Sequence, residues 1–227
     1  MNYLSSALTF IAAGGIWVIP IIVVGAIGLG IVLERYFVLI RATHANRRLW
    51  DQVQPLLHEG NFDKARELTR ADKSATAALL NAGLDTQGTV RRRNEIEVTM
   101  QEVLQSLAPQ FEKRISYLAL FANLATLLGL FGTIIGLIGA FAAVATAAPS
   151  EKSALLSLSI SEAMSCTALG LLIAMPMLTF SLLLNTKASH IVSGLEMVAL
   201  KTINMIVRAS VPARVSHIHD HVEKKAS

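Results

Sequence analysis

The chain has 227 residues, 53% of them hydrophobic and only 16% charged, with a mean hydropathy of +0.52 and a formal net charge of +4. A soluble domain carries about 25% charged residues, so the composition excludes an ordinary soluble fold and points to lipid as solvent. Aromatics at 6% argue against a nucleic-acid stacking platform, and the single cysteine, Cys166, excludes an internal disulfide.

A bilayer core about 30 Å thick takes about 20 apolar residues as helix. Three stretches qualify: residues 16–40, 116–146 and 154–185. In lipid each must bond its own backbone, which makes each a helix. Residues 1–33 hold no charged side chain. A cleaved signal peptide needs a basic start, so the first span is expected to be retained. Residues 41–115 carry 12 Lys and Arg, the tail after Leu184 carries 6, and the link between the second and third spans carries only Lys152. Positive charge stays inside. The expected order is an outer segment (1–15), span one (16–40), an inner helical insertion (41–115), span two (116–146), an outer hairpin (147–153), span three (154–185), and an inner helix with a disordered tail (186–227). The basic excess is a topology signal and does not imply a nucleic-acid partner.

Within the insertion, the pattern predicts a helix over Asn46 to His58 interrupted by Pro55, a break at Gly60-Asn61, and short helices over Phe62–Thr69 and Ala75–Ala82. Residues 85–88 read as a turn with Thr89 as the next N-cap. From Val90 the helical pattern continues to Pro109 and into span two, with a bend expected at Pro109. After span three, Ile191, Leu195, Val198, Thr202 and Met205 form one stripe of an amphipathic helix that ends before Pro212. His217, His219 and His221 could hold a metal, but nothing nearby completes a site, so no metal is expected. With no phosphate loop, ligand cluster or nucleophile–base pair, no enzyme activity and no cofactor are expected.

The spans carry the chemistry. At about 100° per residue, Ala122, Thr126, Gly129, Thr133, Gly136 and Ala140 lie within about 80° of one another. Leu127, Phe131, Ile134 and Ile138 lie opposite. Small residues let helices approach closely, which is what drives their association in lipid. Span three has its own small stripe, Ala163, Thr167, Gly170, Ala174 and Ser181, and Pro176 as a possible kink. It also carries Glu162, the acidic residue set deepest in any span. A charge there costs about 2.5–3.5 kcal/mol on insertion scales, which makes Glu162 a functional candidate. The bland alternatives are helix packing for the threonines, with each hydroxyl bonded to its own backbone, and an assembly contact for Glu162. No Asp, Lys or His lies deep in a span, so a proton path would rest on Glu162 or on a group from a partner.

At these residues the chain resembles the MotA/TolQ/ExbB proton channel family. Span one resembles the family's first helix, with Gly14-Gly15-Ile16-Trp17 and Pro20 at its outer end and Leu33-Glu34-Arg35 at its inner end. The insertion resembles it at Gly60-Asn61-Phe62-Asp63-Lys64-Ala65 and Leu80-Asn81-Ala82-Gly83-Leu84. Span two from Leu127 to Thr133 is close to the family's Leu-Leu-Gly-Leu-Leu-Gly-Thr pattern. Span three from Ile160 to Pro176 follows its third-span motif through Glu162, Ala163, Thr167, Ala168, Gly170, Leu171, Ala174 and Pro176, departing at Ser165-Cys166. The likeness runs over about residues 14–190.

The resemblance implies an all-α integral protein of the bacterial inner membrane, its amino terminus periplasmic and its carboxyl terminus cytoplasmic. Its three transmembrane helices would extend into the cytoplasm and build a homo-pentameric ring. It implies two copies of a single-span ExbD/TolR-like partner whose membrane Asp carries the proton, with a TonB-like or TolA-like protein beyond and lipid around. By motif position, Thr133, Thr167 and Glu162 fall on the ion pathway. Thr126, Gly129, Gly136, Ala163, Gly170, Ala174 and Pro176 fall on the pore-lining or packing face. Glu162 favours the ExbB/TolQ branch over flagellar stators. The rivals are a non-conducting membrane scaffold, in which the threonines tolerate alanine, and a sodium-driven stator.

Overall fold

The computed structural model describes residues 15–86 and 93–210. Among them are six helices and no strand: α1 (Val18–His58), α2 (Phe62–Ala71), α3 (Ala75–Asp85), α4 (Arg93–Glu112), α5 (Ile115–Thr146) and α6 (Lys152–Ser210). Three helical stretches are long and apolar enough to cross a membrane: α1, α4 with α5, and α6. Of the turn predicted at residues 85–88, Asp85 ends α3 and Thr86 caps it; the rest of that turn, the N-cap predicted at Thr89 and the histidines of the tail lie outside the described residues.

Contacts divide the chain into two compact units. The first contains α1 up to Tyr36, α5, and α6 up to Asn185. Its interior is small and apolar. Val18, Ile21, Cys166 and Leu169 form one cluster, and Ala122, Ala125, Ala174 and Met177 form another. Large side chains such as Leu127, Ile138, Phe141, Leu172 and Leu182 point outward. An inside of alanine and glycine with an outside of leucine and phenylalanine inverts the soluble pattern, as expected where lipid is the solvent.

The second unit holds the rest of α1, helices α2 to α4, and the end of α6. Leu79, Leu80, Leu84 and Met100 are fully buried there. Gly60, at φ +75°, turns the chain after α1. Asn61 caps α2 by accepting from the Lys64 N–H at 3.4 Å, and Ser74 caps α3 by accepting from Ala77 at 3.2 Å. Asn46 of α1 accepts from the Thr76 N–H at 3.1 Å and so fixes the start of α3. On α6, Ile191, Leu195, Val198 and Thr202 are buried, and Met205 is half-buried.

Two expectations about helix continuity are corrected. Pro55 does not interrupt α1, which runs on to His58. Proline removes one N–H and disturbs one turn, and here that loss falls close to the helix end. Likewise the helical pattern does not continue unbroken into span two: α4 runs through Pro109 to Glu112, and the helical path breaks at Lys113-Arg114. Arg114 takes a left-handed conformation (φ 66°, ψ −10°). Its side chain secures this break: Nη1 donates to both oxygens of Glu34, at 2.7 and 2.8 Å, and Arg35 donates to the same carboxylate at 3.3 Å. Left-handed backbone costs a non-glycine residue about 1 kcal/mol or more. Arg114→Ala keeps that cost and loses the ion pair, whereas Arg114→Gly loses the pair but removes the cost. The glycine variant is therefore expected to be the more stable of the two by about 1 kcal/mol in thermal unfolding of the detergent-solubilised protein.

Candidate functional site

The face where α5 meets α6 is built by glycines. A Cβ placed on Gly129 would lie 3.1 Å from the Cys166 carbonyl oxygen and from Thr167 Cα, and 3.3 Å from Gly170 Cα. A Cβ on Gly170 would lie 2.6 Å from the Ala125 carbonyl oxygen. A Cβ on Gly136 would lie 2.8 Å from Ala163 Cβ. The two backbones therefore run in direct contact, which only the small stripes of both spans allow.

That approach brings Thr133 and Thr167 together. Their hydroxyls are hydrogen-bonded to each other across the helix pair. Thr167 Oγ1 donates to the Gly129 carbonyl at 2.9 Å. Thr133 Oγ1 lies 3.2 Å from the Gly129 carbonyl and 3.2 Å from the Ala163 carbonyl. Two hydroxyls supply two protons: with the Thr167 proton on the Gly129 carbonyl, the Thr133 proton is the one that closes the bond between them. What the pair has left for a third group is lone pairs. In this arrangement it can receive a hydrogen bond from a protonated acid more readily than it can give one to a carboxylate.

Thr126 is half-buried and bonds back to the Ala122 carbonyl at 3.1 Å, the local bond that threonine makes in any helix. Ala163 and Ala174 are buried. Pro176 is exposed and lines a groove of about 470 Å³ with Ile22, Gly25 and Ile173, and α6 is continuous through it. Glu162 is exposed. Its Oε1 is packed against Gly15, at the start of α1. Ser157, Ser161 and Ser165, four residues apart on α6, line a shallow groove of about 390 Å³ with Met164 and Ala168.

Sequence reasoning did not single out three features. Cys166 fills the notch over Gly132, against Trp17 Cβ. Trp17 meets Phe131 edge-on, with ring centroids 4.8 Å apart. Glu34 serves Arg114 as well as its neighbour Arg35. The motif around Trp17 and Glu34 was visible, but the partners are remote in sequence and nothing local points to them.

Among the described residues, no group of three or more His, Cys, Asp or Glu could hold a metal ion. A family model described as the MotA/TolQ/ExbB proton channel family matches residues 71–197, more than half of the chain. The match takes in Thr133, Glu162, Thr167 and both glycine stripes. No curated protein matches the sequence.

Proposed function

Since the chain belongs to the MotA/TolQ/ExbB proton channel family, we propose that it is the ring subunit of a proton-driven inner-membrane motor of the ExbB/TolQ kind. Five copies surround two copies of a single-span ExbD/TolR-like partner whose membrane carboxyl carries the proton. The observation that carries this reading is the bonded Thr133–Thr167 pair at the α5–α6 contact. A protonated partner acid donates to the lone pairs of this pair and is stabilised there as the neutral species. Loss of the proton turns that donor into a carboxylate, which the pair cannot satisfy without rotating a hydroxyl, so the partner is released to move. Each charge crossing 100 mV supplies about 2.3 kcal/mol for that movement.

Glu162 is the second ionisable group on the path, nearer the outer ends of the spans. The serines lining the groove on α6, Ser157 and Ser161 exposed and Ser165 half-buried, are poor neighbours for lipid and suit a protein-facing or water-facing wall. The orientation follows charge: the amino terminus lies in the periplasm, and the second unit and the carboxyl terminus lie in the cytoplasm. The partner's periplasmic domain, acting through a TonB-like or TolA-like protein, delivers the work to the envelope.

One observation favours a second reading. Each threonine also bonds a backbone carbonyl within the protomer, which is what a pure packing contact would do. A non-conducting scaffold would have this geometry too. Affinity purification of the tagged protein from native membranes in mild detergent separates them. The motor reading expects a small single-span protein carrying Asp in its span. Recovery of the homo-oligomer alone, or of partners without a membrane carboxylate, favours the scaffold.

A further inference from the structure

Gly15, left-handed at φ +65°, opens the turn that leads into α1. That turn is closed by bonds from Val18 N–H to the Gly15 carbonyl and from Ile19 N–H to the Ile16 carbonyl, each 3.3 Å. The carboxylate of Glu162, from α6, lies directly on this turn. A Cβ built on Gly15 would collide with Glu162 Oε1 and lie 3.4 Å from its Cδ and 3.9 Å from its Cγ. The amino-terminal end of a helix carries unpaired N–H groups and partial positive charge, both favourable to a carboxylate. Gly15 and Glu162 fall in the same compact unit.

We infer that Gly15 is a positioning residue for Glu162: the missing side chain at the start of α1 leaves the space in which the Glu162 carboxylate is held. Span one thereby acquires a part in the ion path. The inference rests on the assignment of Glu162 to that path. Two demands meet at Gly15, the positive φ and the space for the carboxylate, and only the second involves Glu162. Shortening Glu162 to Asp withdraws the carboxylate by one methylene and opens room for a Cβ, while leaving the demand on φ unchanged.

The test compares Gly15→Ala, Glu162→Asp and the double variant, each inserted and assembled to the level of the wild type. Proton flux is measured in proteoliposomes holding the protein with its co-purified partner. Gly15→Ala is expected to lower flux about tenfold or more, because small misplacements of a reacting group have effects of that size. The double variant is expected to conduct no less than Glu162→Asp alone. An equal loss from Gly15→Ala in both backgrounds, or no loss in either, would overturn the inference. Thermal unfolding in detergent judges the contact without any need for conduction. Gly15→Ala should lower the unfolding temperature less in a Glu162→Ala background than in wild type, and an equal lowering would sink it. Wild-type flux in Glu162→Gln would remove the ion-path role, and with it the positioning role, while the unfolding comparison still decides whether the contact exists.

Discussion

Replacing Gly170 with alanine is expected to destabilise the protein by about 3 kcal/mol, at the upper end of overpacking effects. The added Cβ would meet the Ala125 carbonyl oxygen at 2.6 Å and Gly129 Cα at 3.2 Å. Both are backbone atoms, so no side-chain rotation relieves the contact and the two helices must separate. Separation also parts Thr133 from Thr167, so flux should fall along with stability. The contrast is Gly139, also on α5, where a Cβ would meet nothing within 4 Å. Gly139→Ala is expected to leave the unfolding temperature of the detergent-solubilised protomer close to wild type. Equal tolerance of both substitutions would contradict the close α5–α6 packing.

Thr133→Ala and Thr167→Ala are expected to have small effects on stability and large effects on conduction. Inter-helix side-chain hydrogen bonds in membranes average about 0.6 kcal/mol, so either change should barely move the unfolding temperature. Conduction depends on a different quantity. A partner acid that no longer finds its acceptor carries an unpaired polar group in a dry interior, at about 1–3 kcal/mol. At about 1.4 kcal/mol per tenfold, flux should fall by about tenfold or more. Serine keeps the hydroxyl and should keep most of the flux. Alanine variants that conduct like wild type would place both threonines in packing alone.

Much of this was legible in the sequence because lipid imposes strict demands. Spans need long apolar runs, and close helix approach needs small residues, so the Gly129–Gly136 and Ala163–Ala174 stripes could be read as contact faces. Glu162 stood out because ionisable residues at depth are rare. Relations between helices were less legible. That Thr133 and Thr167 share a bond depends on the relative depth and rotation of α5 and α6, which no single periodicity encodes. The break at Arg114 was hidden because arginine carries no turn signal, while Pro109 carries a strong one and sits harmlessly within α4. The meeting of Gly15 with Glu162 joins residues far apart in the sequence, and the glycine pair near Trp17 read only as part of a motif.

The central claim is that ions moving through this protein do work on a partner. Its most direct test is proton flux into proteoliposomes carrying the purified protein with its co-purified single-span partner, under an imposed membrane potential and without sodium. The account predicts flux that follows the potential, needs the partner, and does not increase when sodium is added. Flux no greater than in empty liposomes would contradict it in favour of a scaffold, and flux that appears only with sodium would contradict the choice of proton.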